Sequence, residues 1–232
     1  MAEHIPNSVR VRVCLAPRSQ PFDEAMDSLN LAILHAQKAG FSVLLEKVRR
    51  GCPGFQNAGP TLNHFIRNGD THLFIAADDV IFPLDAIVRL VEDDKDIVSG
   101  IYRKNMVFEL SPANYVDTWQ EFEDKYRAGG LYETKFAACH SLTVKRHVIE
   151  KMMEDYPELA YEQGDEKHYA LFIPMIHEGK CYQDDWAFSI RAQQSGFKLW
   201  DDYNCKLKHY CYEFMGFEAL DAKIAQEAKD GN

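Results

Sequence analysis

No stretch of this chain is apolar enough to cross a bilayer. Its longest run without Asp, Glu, Lys or Arg, from Gly51 to Ile66, is broken by Gly, Pro and Asn, whereas a spanning helix needs about 20 mostly apolar residues. The opening segment, MAEHIPNSVRVRV, lacks the apolar core and small-residue cleavage site of a secretory leader. The expectation is therefore a cytoplasmic protein whose six cysteines (Cys14, Cys52, Cys139, Cys181, Cys205 and Cys211) stay reduced. None of them forms a Cys-x-x-Cys pair, which argues against a redox motif or a zinc ribbon. Positive charge is also scarce: 26 Lys and Arg against 36 Asp and Glu leave a formal charge of −10. With no long basic stripe, nucleic acid is excluded as a partner and any phosphate must be held locally. Only 13 Gly and 9 Pro, against 46% apolar residues, exclude disorder and collagen-like repeats. No repeat or low-complexity linker divides the 232 residues, so residues 1–232 read as one domain.

What is present is an alternation of strands and helices. Val9 to Ala16 reads as a strand that ends in Pro17 and Arg18, and Pro21 to Ala39 as a helix with acids in its first turn and Gly40 at its end. Phe41 to Val48 reads as a strand, Thr61 to Arg67 as a short helix, and HLFIAA as a strand running into Asp78 and Asp79. Pro83 is placed at the start of a helix to about Val91, and Asp96 to Tyr102 forms the next strand. This order favours a mixed, mostly parallel α/β sheet flanked by helices, with ligands at the carboxyl ends of its strands. Met106 to Gly130 is aromatic-rich and poorly periodic. After it come the strand FAACHSLTV, the helix RHVIEKMMEDY, the helix DDWAFSIRAQQS closed by Gly196, the strand KLWDD and a tail helix from about Phe217 to Lys229.

Two acidic clusters carry the chemistry. Asp78 and Asp79 end an apolar strand, where an open sheet binds ligands, and hard cations such as Mg²⁺ or Mn²⁺ take one or two carboxylates plus substrate phosphates. The competing reading is a solvated turn. Asp184 and Asp185 stand in the first turn of a helix, a position the helix dipole alone favours for acids. His209, in LKHY, follows a strand-like run.

In that order the motifs resemble those of GT-A-fold glycosyltransferases, particularly the inverting, family-2-like branch of bacteria, phages and large viruses. THLFIAADDVIFPLDAIVRL is similar to the family's strand with its D-x-D-type motif. KDIVSGIYRK, AACHSLTVKRHVIEKM, QDDWAFSIRAQQSGFKLW (similar to its Glu-Asp-Trp motif) and LKHY follow in the family's order. The resemblance implies a nucleotide-binding half at about 8–104, an acceptor-side half at about 105–212 and a C-terminal helix at about 217–229.

It also implies roles. Asp79 and His209 would hold Mn²⁺ or Mg²⁺ on the donor diphosphate, and Asp185 would be the general base. Pro17, Arg18, Glu46, Asp78 and Lys104 would contact a UDP- or GDP-sugar donor. His140, Asp184 and Trp186 would face a glycan or glycoconjugate acceptor. The chain departs from the pattern at Ala77, where the first Asp of D-x-D is usual, and at His140, where Gly is usual. QNAGPTLNHF replaces the family's Ala-Arg-Asn segment. Trp186 and Trp200 offer a sugar an apolar face or belong to the core.

The chemistry implied is transfer of a sugar to an acceptor hydroxyl, with a cation stabilising the departing diphosphate and a carboxylate removing the proton. Two rivals stand beside it. A nucleotidyltransferase would want a Gly-rich loop after the first strand, where this chain has APRSQPFD. A non-catalytic sugar-nucleotide or glycan binder is compatible with Ala77. Zinc on Cys205, His209 and Cys211 is disfavoured by its ligand spacing.

Overall fold

The computed structural model describes residues 8–15, 22–48, 58–103, 116–210 and 214–230. Along the chain run β1 (Arg10–Leu15), α1 (Asp23–Lys38), β2 (Ser42–Lys47), α2 (Gly59–Arg67), β3 (His72–Ala76), β4 (Val80–Ile81), α3 (Ala86–Glu92) and β5 (Ile97–Ile101). The second part holds α4 (Trp119–Ala128), β6 (Leu131–Thr134), β7 (Ser141–Lys145), α5 (Arg146–Asp155), β8 (Ala160–Gln163), β9 (Glu166–Tyr169), β10 (Met175–His177) and β11 (Lys180–Tyr182). It ends with α6 (Asp184–Gln194), β12 (Leu199–Lys206), β13 (Lys208–Tyr210), β14 (Phe214–Met215) and α7 (Glu218–Asp230).

A seven-stranded sheet in the order β2-β1-β3-β7-β5-β12-β6 organises the molecule. Strands β2, β1, β3, β5 and β12 share one direction, and β7 and β6 oppose it. The α/β, mixed and mostly parallel reading therefore holds. Strand β7 inserts between β3 and β5, so one sheet and one core run through both sequence halves. Helix α1 packs with α3, and α5 packs with α2 and α6.

Local chemistry explains these elements. β3 and β5 are buried along almost their whole length, as continuous apolar runs should be in a sheet covered on both faces. Each fully buried Leu, Ile or Phe there contributes roughly 1.5–3 kcal/mol. Helix α1 buries Ala25, Leu29, Ala32 and Ala36 on one stripe and carries Asp23 and Glu24 at its start, His35 and Lys38 at its end, in the sense the helix dipole favours. Gly196, at φ 90°, lets the chain leave α6 in a left-handed conformation.

Several expectations need correction. The helix after Pro83 begins only at Ala86, after a turn at residues 84–85, and Val80 and Ile81 before it form β4 against β13. The strand FAACHSLTV is shorter: residues 139–140 turn, and β7 begins at Ser141. The poorly periodic middle contains α4, started by the N-cap Thr118, whose Oγ1 accepts from Glu121 N, while Glu121 Oε2 accepts from Asp117 N just before the cap. Strand β6 and the hairpins β8–β9 and β10–β11 are further elements that the sequence pattern does not announce. Among the described residues, no helix is long and apolar enough to cross a membrane.

Candidate metal centre

Asp79, His140 and His209 come from three separate parts of the chain, and backbone pairing brings them together. Asp79 follows the carboxyl end of β3. Its carbonyl accepts from Tyr210 N at 2.8 Å, and the Asp78 carbonyl accepts from Phe22 N at 3.3 Å, so the acidic turn is tied to β13 and to the start of α1. Strand β4 pairs antiparallel with β13 in a register that sets His209 opposite Val80. Strand β7 pairs with β3 with Ser141 opposite Ala76. The preceding His140 carbonyl then accepts from Ala77 N at 3.3 Å. His140 therefore stands beside Ala77, two residues before Asp79.

The three side chains converge. His209 Nε2 lies 3.4 Å from Asp79 Oδ2, and His140 Nε2 lies 3.7 Å from Asp79 Oδ1. One ligand atom from each residue falls within 4.8 Å of the others. The two imidazoles cross at 88° with centroids 5.2 Å apart, and the Tyr102 ring sits 4.2 Å from His140 and 5.2 Å from His209. Both histidines are only 6% exposed. Among the described residues, neither ring nitrogen of His209 has a hydrogen bond. Leaving a buried polar atom unsatisfied costs about 1–3 kcal/mol, so a residue type with two such nitrogens is costly here unless something else engages it. A nitrogen–oxygen donor set of this kind fits a divalent first-row cation. The residues present therefore fit the cation that the resemblance implies.

Asp184 and Asp185 open α6 and are half-buried. Asp185 Oδ1 accepts from Trp186 N at 2.8 Å, and Asp184 Oδ1 accepts from Asp185 N at 3.1 Å. The Ser189 hydroxyl donates to the Asp185 carbonyl at 2.8 Å and accepts from Ala137 N at 3.2 Å. That bridge locks α6 to the segment leading into His140. Burial first, and then the charges of Asp185 and Asp184, push the Cys139 thiol well above its usual value. Trp186 stacks on Phe136 at 4.2 Å and 8°, with Tyr182 at 6.2 Å. Trp200, by contrast, packs against the main core and carries Lys95 over its ring at 4.4 Å.

Glu46 stands apart from the cation site, at the carboxyl end of β2. Its carboxylate accepts from Arg12 Nη1 at 2.8 Å and Thr61 Oγ1 at 3.0 Å, and it contacts His64 Nδ1 at 2.8 Å. Together with His64, Tyr161 and His168 it lines a cavity of about 390 Å³. The sequence holds no readable sign of this cavity, because Tyr161 and His168 arrive on the β8–β9 hairpin. Asp78 is 3% exposed. Pro17, Arg18 and Lys104 lie outside the described residues. Cys205 is buried in the main core, and the described residues hold no cluster of metal-ligating type other than Asp79, His140 and His209. No protein-family model matches the chain, and no curated protein matches it.

Proposed function

We propose that this protein is a metal-dependent glycosyltransferase of GT-A type, which moves a sugar from a nucleotide-sugar donor to the hydroxyl of a glycan or glycoconjugate. The observation that carries the reading is the meeting of Asp79 and His209 at the carboxyl edge of the sheet, with the acid-bearing start of α6 bonded through Ser189 to the segment leading into His140. Bound there, Mn²⁺ or Mg²⁺ would supply Lewis-acid stabilisation of the charge that builds on a departing diphosphate.

The chain's own residues account for the rest. Asp79 and His209 hold the cation, and the burial of His209 keeps from that side water that would weaken electrostatic attraction. Asp185 accepts the acceptor hydroxyl's proton as the new glycosidic bond forms, a role worth about 10²–10⁴-fold in rate. Trp186, held by Phe136, offers the acceptor sugar an apolar face beside that carboxylate, and Asp184 accepts a second sugar hydroxyl. The cavity at Glu46 takes the nucleoside. Strand β2 is two steps from β3 across the sheet, about 10 Å at the usual strand spacing, a span that a nucleoside diphosphate covers.

The test is release of nucleoside diphosphate from UDP-, GDP- and dTDP-sugars in the presence of Mn²⁺. At least one donor should be turned over, and Asp185→Asn should lower the rate by about 10²–10⁴-fold while nucleotide binding, read by thermal shift, survives. Binding without turnover in the unaltered protein would make it a sugar-nucleotide binder. Equal rates in Asp185→Asn would remove the general base.

A further inference from the structure

We propose that His140 is a third cation ligand, so that Asp79, His140 and His209 form a two-imidazole, one-carboxylate centre that takes Mn²⁺, Co²⁺ or Zn²⁺ in strong preference to Mg²⁺. This deepens the reading above and rests on it only for the presence of a cation at Asp79 and His209.

The spacings carry the first part. Two ligand atoms each about 2.1 Å from one ion are about 3.0 Å apart at a right angle and about 3.4 Å apart at the tetrahedral angle. Asp79 Oδ2 stands 3.4 Å from His209 Nε2, and the other oxygen of the same carboxylate, Oδ1, stands 3.7 Å from His140 Nε2, so each imidazole faces one carboxylate oxygen. A direct imidazole–carboxylate hydrogen bond would close to about 2.7–3.2 Å. Both separations exceed that range and lie near the edge lengths of a coordination polyhedron. The imidazoles are also suitably held for ligation, being buried, crossed at 88° and packed against Tyr102. His209 has no competing hydrogen bond on either nitrogen among the described residues.

Topology carries the second part. The pairing of β7 with β3 holds His140 next to Ala77, with the His140 carbonyl accepting from Ala77 N at 3.3 Å. The donor it adds beside the Asp79 carboxylate is an imidazole nitrogen, where the Ala77 side chain offers no oxygen. Mg²⁺ prefers oxygen ligands and gives up water reluctantly, whereas imidazole suits the later first-row ions, whose affinities rise from Mn²⁺ through Co²⁺ to Cu²⁺ and fall again at Zn²⁺. A divalent ion facing a single carboxylate also keeps net positive charge, to be balanced by an anionic ligand such as a diphosphate.

Isothermal titration of the full chain with MnCl₂, CoCl₂ and MgCl₂, without any sugar donor, tests the proposal on the unaltered protein, His140→Gln and His140→Asp. Mn²⁺ and Co²⁺ should bind at least tenfold more tightly than Mg²⁺. His140→Gln should weaken both at least tenfold with its metal-free unfolding midpoint little changed, and His140→Asp should narrow the Mn²⁺ to Mg²⁺ ratio. Unaltered Mn²⁺ affinity in His140→Gln, or equal affinity for Mn²⁺ and Mg²⁺ in the unaltered protein, would overturn it. Should both variants unfold, the number of imidazole nitrogens bound to Mn²⁺ in the unaltered protein decides. Nitrogen couplings from two imidazoles, read by pulsed electron paramagnetic resonance of Mn²⁺ bound to the unaltered protein, support the site, and couplings from one imidazole or none refute it. If the metal order holds while no nucleotide sugar is turned over, sugar transfer falls and this centre stands.

Discussion

Replacing Asp70 with Leu should destabilise the fold by about 3–5 kcal/mol, because it strands a buried cation. Asp70 is 1% exposed and Arg12 5% exposed. Arg12 Nε donates to Asp70 Oδ2 at 2.6 Å and Nη1 donates to Glu46 at 2.8 Å, while Nη2 already lacks a hydrogen bond among the described residues. The guanidinium therefore leans on two carboxylates, one of them fully enclosed. Removing that one leaves the Glu46 contact, at the solvent-facing side, as the remaining compensation. Arg10, 3.4 Å from Asp70 but with a side chain 41% exposed, can turn to water and contributes little to the loss. For a chain of this length each kcal/mol shifts the melting temperature by about 2–4 °C, so the drop should be roughly 6–20 °C.

Urea unfolding followed by circular dichroism measures the effect, with the slope of stability against urea checked for constancy. Arg12→Met combined with Asp70→Leu should recover most of the stability, since an apolar pair replaces a buried ion pair at little net cost. The loss should persist in 1 M salt, where exposed pairs are screened. A loss under about 1 kcal/mol, or a double variant no more stable than Asp70→Leu alone, would refute the argument that the cation is stranded.

Asp93 gives a pH prediction of definite sign. Burial first, and then the charge of Asp202, raise its carboxyl from 3.8 to about 6. The folded state therefore holds its proton more tightly than the unfolded chain, and stability falls as pH rises from about 4 to about 6 and stays lowered above. Because the group is half-exposed, solvent screens part of this effect, and Asp93→Asn should gain about 1 kcal/mol at pH 8 with no gain below pH 4. Urea midpoints that respond to pH identically in both proteins would contradict this. At Gly100, an added Cβ would meet the Cys205 carbonyl at 2.7 Å and Leu207 Cδ1 at 2.7 Å, so Gly100→Ala should cost about 1–3 kcal/mol by overpacking β5 against β12. A melting temperature equal to that of the unaltered protein would show that the two strands part more easily than their contacts suggest.

Much of the secondary structure was legible because its causes are local. The apolar runs of β3 and β5, the acids that open α1 and α6, and the glycines after α1 and α6 act over a few residues, and each element lies within a few residues of its expected place. The N-cap at Thr118 is equally local, yet the aromatic-rich segment around it lacks the helical period that would draw attention to α4. The hairpins β8–β9 and β10–β11 have turn residues at Gly164 and Gly179 but short strands and little burial, hence almost no hydrophobic pattern.

The sequence by itself determined that an acidic turn ends a buried strand, that a second acid pair opens a helix, and that a lone histidine follows the last long strand. Tertiary structure alone decided that Asp79 and His209 would meet and that His140 would join them. That outcome depends on β7 entering antiparallel between β3 and β5 with Ser141 opposite Ala76, and on β13 pairing with β4 with His209 opposite Val80. Register between distant strands is set by the burial of whole faces at once, so no short window of residues records which side chains it will bring to one point.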